Sequence, residues 1–235
     1  MARKQHVRPA VARYRPARFN DLMSEFPAPQ ADPPERGHRW FAAFYALQSR
    51  MAERRIAPWR RELLAGRRGD VVEIGAGTGA NFAHYPPEAR VVALEPDPHM
   101  LQRARSALDA LGVSNIELRQ GPAEQLPFAD ASFDAAISTL VLCTVRDLPR
   151  SLAEIRRVLR PGGELRYLEH IRGDGMLGRT QDLIKPVWKW CSAGCEPNRR
   201  TEQALRDAGF TIASIEHKKL EPFLPAIVGV AKLAP

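Results

Sequence analysis

From residue 70 onward the chain alternates short apolar runs with amphipathic stretches, and this alternation narrows the fold more than any other feature. The runs are Val71–Ile74, Val91–Glu95, Ile116–Gln120, Phe133–Thr139 and Gly163–Leu168. Between them lie helical patterns with recognisable openings. Asp97-Pro98 precedes Met100–Leu111, and Asp147 precedes Leu148–Leu159. Asp is a favoured N-cap and Pro is tolerated in the first turn, so both positions read as helix starts. Strand–helix alternation at this spacing predicts a parallel sheet covered on both faces. After Gly209 the pattern changes. Phe210–His217 and Ala226–Leu233 are strand-like with no helix between them, which predicts an antiparallel hairpin at the end of the sheet. The expected class is α/β: three layers, Rossmann-like, mainly parallel, with a C-terminal antiparallel β-hairpin.

The chain has 235 residues, enough for one domain with an appendage. Six of its 20 prolines fall in the first 35 residues, so residues 1–35 read as a basic, Pro-rich flexible segment and 36–235 as the domain. Trp40, Phe41, Phe44, Tyr45, Gln48 and Met51 recur at helical spacing, and Pro58 is expected to interrupt before a short second helix ending near Gly66. The net charge is +8. Residues 1–18 carry six basic side chains and no acid, leaving only +2 for the rest. A folded nucleic-acid footprint needs its charge on the domain, so no nucleic-acid role is expected there. The tail itself offers weak, salt-sensitive attraction to an anionic surface. No apolar run reaches the roughly 18–20 residues of a membrane span, and the start lacks the apolar core of a signal peptide. With three cysteines, an odd number, a disulfide framework is not expected and a reducing, cytoplasmic location is.

The sharpest local motif is VVEIGAGTGAN at 71–81. Gly75, Gly77 and Gly79, with Ala76 and Thr78 between them, permit a tight turn that brings backbone N–H groups to a ligand. With Ala80 the motif also satisfies the dinucleotide form G-x-G-x-x-G/A. Two acids separate the readings. Glu73 precedes the first glycine by two residues, where a pyrophosphate would gain nothing from a carboxylate. Glu95, followed by Pro96, ends the second run, where an acid can accept both ribose hydroxyls. A ligand with a cationic end, a ribose and no phosphate fits this better than NAD does, and S-adenosylmethionine is such a ligand. The plainer role for Glu73 is a strand-edge acid bonded to a neighbouring loop; for Glu95 it is a helix-leading acid. Asn81 closes the motif. Pro122, Ala123 and Glu124 are expected to border an adenine, and Thr139 and Leu140 to supply backbone contacts and an apolar wall. All lie at carboxyl ends of strands, where open α/β sheets bind ligands.

These motifs make the chain resemble the class I S-adenosylmethionine-dependent methyltransferases of the type 11 group, over about residues 36–235. Within that group ISTLVLCTV at 137–145, LRPGGELRYLEH at 159–170, Pro186-Val187-Trp188 and Gly194-Cys195 resemble the methyltransferase-like family that methylates small alkyl thiols. The resemblance implies a Rossmann-like methyltransferase fold, S-adenosylmethionine as donor and a small-molecule thiol as substrate. The animal members carry a hydrophobic N-terminal anchor, where this chain has its basic tail.

The donor is already electrophilic, so catalysis is mainly alignment of a nucleophile with its methyl group. A thiol, with a pKa near about 8.5, needs only a weak base. His170 is the expected catalytic group, with Glu169 as its orienter; the plainer role is a histidine capping the sheet end. Tyr45 and Trp188 are candidates to close over substrate. Cys143 is expected to pack behind the adenine pocket. Cys191 and Cys195 are spaced C-x-x-x-C without a nearby His or Cys to complete a set, so no metal is expected. A C- or O-methyltransferase acting on a quinone, lipid or natural product is the runner-up, because PAEQLPFADASFD and LRPGG suit that group too. A non-catalytic donor-binding regulator and an NAD-dependent oxidoreductase remain as other classes. Nucleic-acid amine methylation is disfavoured, since Thr139-Leu140-Val141-Leu142 stands where such enzymes place Asn/Asp-Pro-Pro-aromatic.

Overall fold

The computed structural model describes residues 53, 55–192, 194–221 and 224–234. Tyr45, the helical pattern around it and the boundary expected at residue 35 lie outside them. Helix α1 covers 55–64 and holds Pro58 within its run. The break expected at Pro58 is therefore absent. The strands are β1 (Gly69–Ile74), β2 (Ala89–Glu95), β3 (Ile116–Gln120), β4 (Phe133–Thr139), β5 (Leu159–His170), β6 (Thr211–Glu221) and β7 (Leu224–Lys232). The remaining helices are α2 (Pro98–Leu111), α3 (Leu148–Val158), α4 (Gly175–Cys191) and α5 (Thr201–Asp207), with a short 3-10 turn at Phe82–His84. Asp97 Oδ1 accepts from His99 N and Met100 N, and Asp147 Oδ1 from Arg150 N, so both expected caps are formed.

The sheet order is β3-β2-β1-β4-β5-β7-β6. The first five strands pair in parallel, while β7 runs antiparallel to both β5 and β6. Alternation along each strand sorts side chains between the two faces. Val72, Ile74, Val92 and Leu94 pack with Leu152, Ile155 and Val158 of α3 and Leu205 of α5. Val71, Val91 and Ala93 face the other way, against Leu64 of α1, Ala104 of α2, Phe82 and Tyr85. Three layers result, as the alternation predicts.

Two helices, α4 and α5, were not foreseen. Helix α4 carries Pro186 internally and leaves Met176, Leu183, Val187 and Trp190 exposed. The topology reverses between β1 and β4, since the chain moves outward through β2 and β3 and then returns. That reversal opens the crevice beyond the carboxyl ends of the strands, where such sheets take ligands.

Candidate active site

Beyond Ile74 the chain turns through Gly75, Gly77 and Gly79 at φ +69°, +58° and +84°. The three glycines do different work. A Cβ on Gly75 would stand 2.5 Å from a methyl of Val141, and one on Gly79 2.7 Å from the Phe82 ring. A Cβ on Gly77 would meet nothing within 4 Å. Packing demands the outer two glycines, while Gly77 leaves bare backbone beside open space, the condition for close approach of a ligand. Ala76 is buried and donates its N–H to Leu94 O at 2.8 Å, so its side chain belongs to the core. Thr78 is half-buried.

Glu95, at the end of β2, holds this loop in place. Its Oε2 accepts from Gly77 N at 2.8 Å and its Oε1 from Asp97 N at 2.9 Å. The carboxylate is thus locked between the glycine turn and the start of α2, with Pro96 half-buried beside it. A ligand cradled at Gly77 would meet a fixed acid.

Glu73 is almost wholly enclosed, and both oxygens are engaged. Asn81 Nδ2 donates to Oε1 at 2.8 Å and the Tyr85 hydroxyl to Oε2 at 3.0 Å. Arg60 of α1 donates to Asn81 Oδ1 at 2.9 Å and to Thr139 Oγ1 at 2.8 Å, and Asn81 Nδ2 also reaches Thr139 Oγ1 at 3.0 Å. Burial pushes the Glu73 carboxyl up to about 7, against the opposing pull of Asn81, Tyr85 and Arg60. Glu73 is thus bonded to its neighbours through both oxygens. Arg60 and Tyr85 were missed by the sequence reading. Neither belongs to a motif, and only folding brings α1 and the 3-10 turn to the end of β1.

The remaining donor-side candidates divide. Leu140 follows β4 with φ +61°, a conformation that costs a non-glycine residue of order 1 kcal/mol or more. Its N–H donates to Leu168 O at 2.7 Å, which ties the turn to β5. Pro122 is exposed, whereas Ala123 is buried in the core. Glu124 Oε1 accepts from Arg146 N at 2.8 Å and Asp147 N at 3.3 Å. These N–H groups at the entrance to α3 need acceptors, so one oxygen of Glu124 serves the helix start.

Glu169 and His170 are neighbours on β5 and so point to opposite faces. The expected pairing is not made. Glu169 accepts from Ser138 Oγ at 2.6 Å, Val141 N at 3.1 Å and Cys143 N at 3.3 Å, which makes it the anchor of the loop after β4. Burial raises its pKa, opposed by those bonds. His170 turns instead to sulfur. Its Nδ1 lies 3.8 Å from both Cys143 Sγ and Cys195 Sγ, and the two sulfurs are 3.7 Å apart. Its Nε2 is enclosed without a hydrogen-bond partner among the described residues. Contact with Cys143, His170 and Trp188 draws Cys195 down to about 5, while Cys143 is pushed up.

Backbone contacts hold this cluster together. Glu196 N donates to Cys143 O at 2.7 Å, and Arg199 donates to Leu142 O at 2.6 Å and to Val145 O. Glu196 in turn binds Lys185 at 2.8 Å and Lys189 at 2.7 Å on α4. Cys195 thus pairs with Cys143, a partner that the C-x-x-x-C spacing could not reveal.

Comparison with known proteins matches this architecture. Residues 72–167 fit the family described as "Methyltransferase domain". The chain is 34% identical over 208 residues to human thiol S-methyltransferase TMT1B, spanning 82% of this chain and 85% of that protein. The chain belongs to the S-adenosylmethionine-dependent methyltransferases. This methyltransferase is also 30% identical over 232 residues to a malonyl-[acyl-carrier protein] O-methyltransferase of Methylococcus capsulatus, covering 91% and 80% of the two chains. A solved SAM-dependent methyltransferase from Methanosarcina mazei shares the fold, with TM-score 0.61 and 21% identity over 73% of this chain and 95% of that one. The bare backbone at Gly77 and the acid at Glu95 suit the donor, S-adenosylmethionine. Among the described residues, no helix is long and apolar enough to cross a membrane.

Proposed function

We propose that this methyltransferase transfers the methyl group of S-adenosylmethionine to the sulfur of a small thiol. The observation that carries the reading is the gathering of Cys143, His170 and Cys195 at the carboxyl ends of β4 and β5. The likeness to a thiol S-methyltransferase over most of both chains supports it. When bound, the donor supplies an electrophilic sulfonium methyl. The Gly75–Gly79 turn receives it at Gly77, and Glu95 accepts the ribose hydroxyls. Asn81 and Thr139, braced by Arg60, and Pro96, Pro122, Leu140 and Ala123 shape the walls. Glu73 sets the polarity beneath the turn. His170 brings the substrate thiol to its thiolate, Glu169 positions the Val141–Cys143 loop, and Trp188 with Tyr45 closes over the substrate. The thiolate lone pair forms the new S–CH3 bond as the sulfonium bond breaks, its electrons returning to the donor's sulfur. The thiol proton leaves for solvent.

A labelled-donor assay over alkyl thiols, aryl thiols, phenols and carboxylic acids tests this reading. Thiols should be the substrates. His170→Ala should slow an alkyl thiol by about 10²-fold or more, the lower range for a positioned acid or base, yet spare an aryl thiol that is already ionised. Donor affinity should hold in His170→Ala and fall in Glu95→Ala, where charged hydrogen bonds worth roughly 1.5–3 kcal/mol each are lost. Methylation of carboxylic acids and not of thiols would favour O-methylation, a reading supported by the relative from Methylococcus capsulatus.

A further inference from the structure

We infer that Cys143, Cys195 and His170 form a mononuclear site for a soft divalent metal ion, zinc above all, with its fourth position open to the substrate's sulfur. The open position rests on the thiol reading above; the metal site does not. Three protein donor atoms stand at separations of 3.7, 3.8 and 3.8 Å. A tetrahedral zinc with Zn–S of about 2.3 Å and Zn–N of about 2.0–2.1 Å needs S···S near about 3.8 Å and S···N near about 3.6 Å. The triangle therefore already has the dimensions of one tetrahedral face. A disulfide would need the sulfurs to close to about 2.05 Å and would give His170 no part.

The donor chemistry agrees with the dimensions. Two thiolates and a neutral imidazole select zinc over magnesium or calcium. They also cancel the double charge, and a neutral unit is one that a buried site can hold. Both cysteines are buried. The nearby carboxylate, Glu169, is turned away to Ser138, Val141 and Cys143 N. Coordination through Nδ1 puts the imidazole proton on Nε2.

Rigidity matters as much. Cys143 is held by Glu169 and Glu196 through its backbone, and Arg199 ties the same loop at Leu142 and Val145. Among the described side chains no fourth Cys, His, Asp or Glu joins the group. Zinc sites that do chemistry hold three protein ligands and keep the fourth position for water or substrate, whereas structural sites are closed by four. A thiol entering that position would give its proton to solvent and remain as a thiolate on the metal, activated without a strong base. His170 would then form the thiolate indirectly, as the ion's ligand and not by taking the proton itself, so an aryl thiol that is already ionised is still spared in His170→Ala.

The test uses the full chain, reduced with a phosphine and titrated with Co2+ as a spectroscopic stand-in for zinc. The expected result is a thiolate-to-cobalt charge-transfer band saturating at one ion per chain, with the intense visible bands of four-coordinate cobalt, all abolished by Zn2+. Cys195→Ser should lose about half of the charge-transfer intensity and bind at least tenfold more weakly, with donor binding by calorimetry retained as the check of folding. Addition of 2-mercaptoethanol, with no donor present, should add thiolate intensity and shift the visible bands. Absence of the charge-transfer band in the unaltered protein would overturn the metal site, as would a spectrum unchanged in Cys195→Ser. Cobalt bound as described but indifferent to 2-mercaptoethanol would overturn the open position. A thiol response in the spectrum with no thiol methylated would keep the metal site and remove the thiol reading.

Discussion

At the scale of single residues, burial has changed what the carboxylates do. Glu73 could be recognised in the sequence as an acid before a glycine turn, but its partners could not. Its proton is bound more tightly in the folded chain than in the unfolded one, since burial raises it from 4.5 to about 7. Such a group stabilises below the unfolded value, and that contribution is lost as pH rises through the folded one. The stability of the protein relative to Glu73→Gln, which does not titrate, should therefore fall between about pH 4.5 and 7, by up to about 3 kcal/mol. Urea unfolding of both proteins across that window measures it. A difference independent of pH would mean that Glu73 is ionised throughout. Glu169 teaches a related lesson: adjacent to His170 in sequence, it serves a different face of β5, because a strand separates neighbours.

At the scale of elements, local signals were legible wherever an element obeys local rules. The bounds of β3 and β4 agree with the apolar runs, and the Asp caps of α2 and α3 are made. β5 is longer than its apolar run, since Leu159 pairs with Phe133 across a register shift ahead of the glycines. Helices α4 and α5 lacked the clean apolar period that marks a helix in sequence. The glycine turn shows how elements constrain one another. Gly75→Ala keeps φ near +69° and drives a Cβ into Val141, so it should destabilise by roughly 1–3 kcal/mol. Adding Val141→Ala should recover part of the loss, a coupling of at least about 0.5 kcal/mol. Denaturant unfolding of the four proteins in the cycle reads it, and strictly additive losses would reject the contact as the reason for glycine there.

At the scale of the whole molecule, residues 1–35 lack a periodic apolar pattern and should contribute nothing to the core. Their removal is expected to leave cooperative thermal unfolding and donor binding intact. A broadened, weakened transition would show that they complete the domain. The sequence by itself determined the layers, the parallel sheet with its terminal hairpin, the glycine turn and the acid at the end of β2, because periodicity, caps and turn chemistry act over a few residues. Tertiary structure decided the rest. Arg60 reaches Thr139 over 79 positions, and Cys195 reaches Cys143 over 52. Those meetings depend on which strand ends lie side by side and on the hydrogen bonds that strap Glu196 and Arg199 to the loop after β4. No local spacing encodes them, so the thiol–imidazole cluster comes into being only when the chain closes.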